Sequence, residues 1–290
     1  MSLPSNRLPF WFRQEIPQAI TLKRMDLVSK LGVNTVCKEA RCPNMGNCFN
    51  NGKLTFMILG KSCTRDCKFC GVNKSNYETL TVDEDEPKRI LCIIKEFGLK
   101  YVVITSVTRD DLADGGAGQF VRTIKAIHDL NRNIIIEVLI PDFEGNISNL
   151  KSVLDAGPDV VAHNIETISR LYKKLRPEAD YRLSLEVLSN LKLLRPSSIT
   201  KSSIILGLGE RQKEVIAAME DLRKSKCDIL ILGQYLAPSK KHYPVYEFIS
   251  PEQFMKYRNI AVSLGFKAVL SGPLVRSSYK AEEVFAEVMA

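Results

Sequence analysis

Short, nearly continuous apolar runs alternate with longer segments of helical period over most of the chain beyond about residue 53. The runs predict strands buried on both faces, because half-exposed strands alternate apolar and polar positions. They are Leu54–Leu59, Tyr101–Thr105, Ile134–Ile140, Val160–His163, Ser203–Leu206 and Ile229–Leu232. The helical period predicts helices over Pro87–Phe97, Gly118–Leu130, Leu183–Leu194, Glu214–Lys224 and Pro251–Leu264.

Six strands, each followed by a helix, predict a parallel sheet joined by right-handed crossovers. A full or partial β/α barrel and an open doubly wound sheet both fit this pattern. No G-x-G-x-x-G motif follows a predicted strand, so a dinucleotide-binding fold has no support. We therefore predict an α/β barrel whose chemistry lies in the loops after the strands.

The barrel is predicted to span residues 54–264, between two extensions. Residues 1–53 show few strand signals, whereas residues 265–290 contain the apolar run Ala268–Leu270 and a last helix from about Tyr279. No apolar run approaches the roughly 18 to 20 residues that span a bilayer, so no membrane association is predicted. The N-terminus has no apolar signal-peptide core, and we expect a cytoplasmic protein.

The cysteines are crowded into one region. The chain has 290 residues, 45% of them hydrophobic, and a core of that size needs no disulfide scaffold. Six of the eight cysteines lie between residues 37 and 70, whereas Cys92 and Cys227 are isolated and are predicted to be small buried hydrophobic residues. Such crowding favours metal ligation or redox chemistry.

Two cysteine triads differ in spacing. Cys63, Cys67 and Cys70 form C-x3-C-x2-C directly after the first predicted strand. Three thiolates are one fewer than close a structural zinc site or a fully ligated iron–sulfur cluster, and the open position suits catalysis. A zinc site completed by a distant residue and three structural cysteines are the alternatives. The other triad is C-x4-C-x5-C, at Cys37, Cys42 and Cys48, so the six thiolates suggest two clusters.

The segment Cys63-Thr64-Arg65-Asp66-Cys67-Lys68-Phe69-Cys70 resembles the signature of the radical S-adenosylmethionine (SAM) enzymes. Together the two triads resemble the lipoyl synthase family, and the resemblance covers almost the whole chain. Further stretches that carry it are Thr105–Ala117, Glu137–Phe143, His163–Thr167, Arg176–Tyr181, Gly207–Glu210, Gly233–Leu236 and Arg276–Tyr279.

This resemblance implies a partial (β/α)6 TIM-like barrel of the radical SAM type and two [4Fe–4S] clusters. One cluster, held by the catalytic residues Cys63, Cys67 and Cys70, binds SAM, with Phe69 near the adenine. The other is an auxiliary cluster held by Cys37, Cys42, Cys48 and, in the R-S-S-Y stretch, the catalytic ligand Ser278. A serine oxygen is a weaker ligand for iron than a thiolate and leaves more readily. The alternative is that Ser277 or Ser278 caps the last helix.

The activity implied by the resemblance is that of a radical SAM sulfurtransferase. It inserts two sulfur atoms at C6 and C8 of an octanoyl chain bound to a lysine of a lipoyl-carrier protein, with the auxiliary cluster as sulfur donor. The implied partners are lipoyl domains of 2-oxoacid dehydrogenases or glycine-cleavage H protein, and an electron donor such as flavodoxin or ferredoxin. The rival interpretations are a two-cluster radical SAM enzyme with another substrate and a zinc-stabilised nucleic-acid-binding module.

Three polar residues, Glu137, Asn164 and Arg176, are predicted at or just beyond strand ends. They either bind the methionine or ribose of SAM or form salt bridges across the barrel mouth.

The chain is basic, with 41 Lys and Arg residues against 33 Asp and Glu and a net charge of +8. No helix-turn-helix or Arg-rich arm accompanies this charge, so no nucleic-acid partner is predicted. The hypothesis that fits the resemblance is electrostatic steering of an acidic carrier domain. The residues proposed for it are Lys38, Arg41, Arg65, Lys68, Lys240 and Lys241.

Overall fold

A computed structural model describes residues 8–14, 17–74 and 81–290. Its seven strands follow one another in the sheet in chain order. The paired strands β1–β2–β3 and β5–β6–β7 run parallel, as predicted. The strands are β1 (Thr55–Ile58), β2 (Tyr101–Ser106), β3 (Ile135–Leu139), β4 (Val160–Ala162), β5 (Ile199–Leu206), β6 (Ile229–Gln234) and β7 (Ala268–Gly272).

All predicted helices are confirmed within a few residues, and five further helices were not predicted. The confirmed helices are α4 (Glu86–Phe97), α5 (Ala117–Leu130), α8 (Tyr181–Leu194), α9 (Gln212–Lys224), α10 (Pro251–Ser263) and α11 (Ala281–Met289). The additional ones are α1 (Ala19–Lys30), α2 (Val36–Glu39), α3 (Met45–Asn50), α6 (Ile147–Asp155) and α7 (Tyr172–Leu175). No helix among the described residues is long and apolar enough to cross a membrane.

The described residues form two compact units. One contains Gln14–Arg65 and Gly71–Val161, and therefore carries β1 to β3. The other contains Asp66–Cys70 and Ala162–Ala290, together with the described residues up to Arg13, and carries β5 to β7.

In the first unit, α4 shows how the sequence sets the packing. Its buried face consists of Ile90, Ile93 and Ile94, at the spacing of one helix stripe, and the helix ends at Gly98 in the left-handed conformation. Cys92 is exposed, so its prediction as a buried residue is wrong. It lies about 200° around the helix from Ile90, which places it on the opposite face.

In the second unit, β5 begins four residues before the predicted strand, and the missed part contains the polar residues Thr200–Ser202. They are buried nonetheless, and Asp228 accounts for part of this: its carboxylate accepts a hydrogen bond from the Thr200 backbone N–H at 2.9 Å. Asp228 also pairs with Lys192, and with Lys267 at 3.0 Å. Cys227, beside it, is fully buried as predicted.

The apolar run predicted in the C-terminal extension forms β7, which pairs with β6 in the register Ile229↔Ala268. Helix α11 packs there, since Val284 and Val275 belong to the same buried cluster as Ile231. The proposed domain boundaries at residues 53/54 and 264/265 stay predictions.

The two isolated cysteines should differ sharply in reactivity. Burial, together with the neighbouring charge of Asp228, raises the pKa of Cys227 to about 12. Because the thiolate is the nucleophile, Cys227 at pH 8 has a thiolate fraction roughly 10³-fold below that of an ordinary thiol. We expect iodoacetamide to label Cys92 in the native protein and Cys227 only after unfolding, as followed by peptide mass spectrometry. Equal labelling rates in the native protein would contradict the burial of Cys227.

Candidate functional site

The triad Cys37, Cys42 and Cys48 lies in the first unit on two short helices and the turn between them. Cys37 is in α2, which begins after Thr35; the Thr35 hydroxyl accepts a hydrogen bond from the Lys38 backbone N–H at 3.3 Å. The Cys42 N–H donates to the Cys37 carbonyl at 3.0 Å, and Cys48 is in α3. None of the three cysteines is in a disulfide bond.

The three thiols of this triad interact electrostatically. Burial raises the pKa of Cys37 to about 12, and the charges of Cys42 and Cys48 add to this effect. Burial raises the pKa of Cys48 to about 11, again with a contribution from Cys42. Neighbouring soft thiols that resist ionisation alone are suited to a thiophilic metal centre, whose positive charge displaces their protons. The residues present therefore fit an iron–sulfur cluster.

The loop that carries the C-x3-C-x2-C triad begins in the first unit. The Cys63 N–H donates to the Asn73 carbonyl at 2.9 Å, and the Thr64 N–H donates to the Thr108 carbonyl at 3.0 Å. The Thr64 hydroxyl also donates to Asp110 at 3.0 Å. The start of the loop is thus fastened to the segment that follows β2.

The remainder of this loop, Asp66–Cys70, belongs to the second unit. The Lys68 N–H donates to the Leu175 carbonyl at 2.8 Å, and the Lys68 carbonyl accepts from the Tyr243 N–H at 2.9 Å. A turn brings the Cys70 N–H to the Cys67 carbonyl at 3.1 Å. Phe69, which lies between Cys67 and Cys70 in the sequence, is half-buried.

Cys63, Cys67 and Cys70 form no disulfide bond and are partly exposed, which gives a cluster access to them. Within residues 8–14, 17–74 and 81–290, no group of three or more His, Cys, Asp or Glu side chains forms a site that could hold a single metal ion. A [4Fe–4S] cluster instead takes one thiolate for each iron that it binds, so its ligands are spread around a larger centre. The fit of this triad rests on its donor chemistry and on its anchored backbone.

Arg65 lies inside the cysteine loop and is 93% buried, since its side chain is 7% exposed. Two of its nitrogens donate to Asp110 at 2.8 Å, and two donate to Asp142 at 2.5 and 2.7 Å. Burial lowers the pKa of Arg65, but the bonds to Asp142 and Asp110 outweigh it, and the pKa is raised. The placement of Arg65 among the steering residues is therefore wrong: its charge is buried and paired.

A cavity of about 290 Å³ lies beside this ion-pair network in the first unit. Thr108 and Asp110 from the segment after β2, and Pro141 and Phe143 from the segment after β3, line it. Phe143 and Glu144 both have positive φ, 47° and 51°. Such left-handed backbone is costly outside glycine and persists where the surrounding structure enforces it. The segments that follow the strands thus form the concave part of this unit.

In the second unit, Asn164 joins three predicted or matched residues. Its side-chain N–H donates to Glu166 at 2.9 Å, and its side-chain oxygen accepts from the Ser277 hydroxyl at 3.2 Å. Arg176 donates to the Asn164 carbonyl at 3.2 Å and lies over the ring of Tyr172 at 5.1 Å. Burial raises the pKa of Glu166, while the charge of Arg176 opposes that rise. The structure therefore brings Asn164, Arg176 and the R-S-S-Y stretch together.

The predicted positions of the three polar residues are only partly correct. Asn164 does follow β4 by two residues. Arg176 instead directly follows α7, a short helix that was not predicted, and its long side chain reaches the Asn164 carbonyl. Glu137 lies in the middle of β3, where its carboxylate is buried and accepts a hydrogen bond from the Tyr101 hydroxyl at 2.7 Å. Its placement at a strand end is wrong, because Glu137 is the central residue of β3, as it is of the predicted run Ile134–Ile140.

The alternative role of the serine pair, capping of the last helix, is wrong. Helix α11 begins at Ala281, and its N-cap is Lys280, which makes no side-chain cap hydrogen bond. Ser277 points its hydroxyl to Asn164 instead. Ser278, the predicted cluster ligand, is half-buried in the segment between β7 and α11.

Sequence reasoning missed Asp110, Asp142 and Glu166 as partners of the predicted residues. Each lies in a stretch that carries the family resemblance and shortly follows a strand. Their acidic side chains, directly after apolar runs, were the available signal. The partners of Arg65 are 45 and 77 residues away along the chain, which only the fold reveals.

Similarity to known proteins covers nearly the whole chain. The family model of the radical SAM superfamily matches residues 57–222. A protein named lipoyl synthase from Caldanaerobacter subterraneus subsp. tengcongensis is 50% identical over 277 residues, which cover 95% of this chain and 96% of that protein. The chain belongs to the lipoyl synthase family. The mitochondrial lipoyl synthase of Nematostella vectensis is likewise 50% identical over 281 residues, covering 97% of this chain and 96% of that protein.

Membership of the lipoyl synthase family makes the chain a radical SAM enzyme of the transferase class. It implies SAM and a [4Fe–4S] cluster as cofactors. The predicted family and enzyme class are confirmed. The crystal structure of methylornithine synthase (PylB) has a TM-score of 0.58 at 15% identity, covering 85% of this chain and 74% of that one. This likeness shows the fold, and with the radical SAM match it confirms the predicted fold class.

Proposed function

We propose that the chain inserts two sulfur atoms at C6 and C8 of an octanoyl chain carried on a lysine of a lipoyl-carrier protein. The observation that carries the proposal is the presence of two separate triads of cysteines, none of them in a disulfide bond, in a chain of the lipoyl synthase family. Acid–base side chains do not abstract hydrogen from unactivated methylene and methyl carbons, which is why a radical cofactor is required. The two triads supply the two metal centres that such a reaction needs.

In this proposal, Cys63, Cys67 and Cys70 hold a [4Fe–4S] cluster and leave one iron open for SAM. When bound, the clusters supply an electron for SAM cleavage and the sulfur for insertion. The chain itself holds the loop in place through the backbone bonds of Cys63 and Lys68. Fixed ligands keep the reacting atoms in register, and such preorganisation is the contribution expected of the protein.

The auxiliary cluster is assigned to Cys37, Cys42, Cys48 and Ser278. The mutual electrostatic influence of the three thiols supports the grouping of the cysteines. Ser278 is assigned as the fourth ligand because it is the second serine of the R-S-S-Y stretch that carries the family resemblance. An oxygen ligand that dissociates readily is suited to a cluster that gives up sulfur.

SAM is proposed to contact Phe69, Glu137, Asn164 and Arg176. Asn164 and Arg176 are joined by a hydrogen bond and present polar groups beyond β4, which supports their assignment. Phe69 is half-buried in the cysteine loop, so its ring is available to pack against a base. Glu137 has weaker support, because its carboxylate is buried and accepts from Tyr101.

The proposed partners are lipoyl domains of 2-oxoacid dehydrogenases or glycine-cleavage H protein, with flavodoxin or ferredoxin as electron donor. Of the residues proposed to steer an acidic carrier, Lys38, Arg41, Lys240 and Lys241 are exposed. Lys68 is exposed but pairs with Asp66, which lowers its contribution to the attraction of an acidic carrier. We also propose a cytoplasmic location for the protein, and a barrel at residues 54–264 flanked by extensions at residues 1–53 and 265–290.

Metal analysis after anaerobic purification tests the two-cluster assignment. We expect brown protein with on the order of eight irons per chain, four for each of two clusters. Removal of iron with a chelator should abolish SAM cleavage, and reconstitution with iron and sulfide should restore it. The control is the same preparation in air, where exposed clusters are lost. Zinc in stoichiometric amount without iron would contradict the proposal.

A further inference from the structure

Arg65 joins three segments of the first unit through one guanidinium. It lies between Cys63 and Cys67, and its four hydrogen bonds go to Asp110 after β2 and to Asp142 after β3. Paired bonds of this kind fix the orientation of both groups as well as their distance. We infer that Arg65 is a positioning residue that holds the start of the cysteine loop in the geometry that binds the cluster.

Burial makes a general stabilising role a poor explanation of this network. The side chains of Arg65 and Asp142 are 7% and 1% exposed, so both charges have lost their hydration. A buried ion pair commonly contributes no more to stability than apolar residues of the same volume. What it does provide is a fixed arrangement, because a displaced partner leaves a buried charge unpaired. The fixed arrangement here includes the backbone next to Cys63.

The acceptors of Arg65 are themselves held in place. Besides the two bonds from Arg65, Asp142 accepts a hydrogen bond from the Glu144 N–H at 3.0 Å, where the backbone is left-handed. Asp110 is fastened to Thr64, the residue between Cys63 and Arg65: the Asp110 N–H donates to the Thr64 hydroxyl at 3.2 Å. The two residues after Cys63 are therefore tied to the same segment by independent bonds.

Lysine is the informative replacement for Arg65. It keeps the positive charge but is a point donor and cannot make two paired bonds to two carboxylates. The inference rests on the proposed function in one respect, the assignment of a cluster to this loop. The geometry of the loop itself is measurable in the metal-free chain. Two readouts therefore separate the role of Arg65 from the activity of the enzyme.

The first readout is the alkylation rate of each cysteine in the metal-free protein. In Arg65→Lys we expect Cys63 to react at least about fivefold faster, because the loop opens more often. The rates at Cys37, Cys42 and Cys48 should stay unchanged, with exposed Cys92 as the internal reference. Arg223→Lys is the matched control: Arg223 also makes a guanidinium contact, over the ring of Phe266 at 5.3 Å, far along the chain from the cysteine loop.

The second readout is iron retention after anaerobic reconstitution and exposure to a chelator. Arg65→Lys should retain about half of the wild-type iron, since only one of two four-iron clusters is affected. Arg223→Lys should retain all of it. Unchanged alkylation at Cys63, or equal acceleration at every cysteine, would overturn the inference, the latter by showing a general loss of structure.

If Arg65→Lys does not fold, Asp110→Asn and Asp142→Asn test the positioning role of Arg65 instead. Each removes one charge and leaves an amide oxygen that still accepts, so the expected acceleration at Cys63 is smaller but has the same selectivity. No acceleration in either variant would overturn the inference. Wild-type protein that binds no iron would instead refute the proposed function, while the alkylation rates would still decide the role of Arg65.

Discussion

Replacing Cys63, Cys67 or Cys70 by alanine should abolish SAM cleavage. Each of these cysteines is proposed to bind a different iron, and two remaining thiolates do not hold the cluster that supplies the electron. Because the cofactor carries this chemistry, no side chain compensates for its loss. The expected fall in 5′-deoxyadenosine production is more than about 10³-fold, within the rate enhancement that enzymes provide.

The matched control for these variants is Cys92→Ala. Cys92 is an exposed cysteine of the same unit as Cys63 and should tolerate alanine with less than about twofold change in rate, as exposed substitutions do. Chromatographic assay of 5′-deoxyadenosine under anaerobic conditions with excess dithionite measures both rates. A single-cysteine variant that keeps a tenth or more of the wild-type rate would contradict the assignment of that cysteine.

The triple replacement Cys37→Ala, Cys42→Ala and Cys48→Ala should separate the two partial reactions. SAM cleavage should stay within about threefold of the wild-type rate, because the cysteine loop and its anchors are untouched. Sulfur insertion should fall to background, because the proposed sulfur donor has lost three of its four ligands. Retention of sulfur insertion would show that the sulfur comes from elsewhere.

Loss of a buried thiol also costs stability, and Cys227→Ala controls for it. Cys37 and Cys227 are both buried and have raised pKa values, but only Cys37 is a proposed ligand. Removing a buried side-chain atom of this size destabilises a core by roughly 1–2 kcal/mol. Cys227→Ala should therefore lower the unfolding temperature and leave both reactions unchanged. If Cys227→Ala also lost sulfur insertion, the loss in the triple variant would be explained by lower stability and not by missing cluster ligands.

Periodicity predicted most of the sheet and the long helices because burial there follows chain spacing. α4 presents Ile90, Ile93 and Ile94 to the core, and its stripe is visible in the sequence. α1 was missed because only Thr21 and Val28 are buried in its 12 residues, so it has no clear apolar stripe. The start of β5 was missed because it contains polar residues that are buried in the fold; one of them, Thr200, hydrogen-bonds to Asp228, which lies in another part of the chain.

The candidate site divides in the same way. Ligand chemistry is a property of residue type and short spacing, so the two thiol triads were recognisable without a fold. Contacts across long sequence separations were not: Ser277 and Asn164 are 113 residues apart, and Arg65 and Asp142 are 77 apart. Arg65 was therefore misread as a surface charge, because its residue type and its position in the sequence gave no sign of burial.

The most direct test of the proposed activity is mass spectrometry of an octanoyl-lysyl peptide from a lipoyl carrier, incubated anaerobically with the reconstituted protein, SAM and reductant. The account predicts a product that has gained two sulfur atoms, with 5′-deoxyadenosine formed alongside it. Formation of 5′-deoxyadenosine with a peptide that gains no sulfur, or that only loses two hydrogens, would contradict sulfur insertion as the function of this chain.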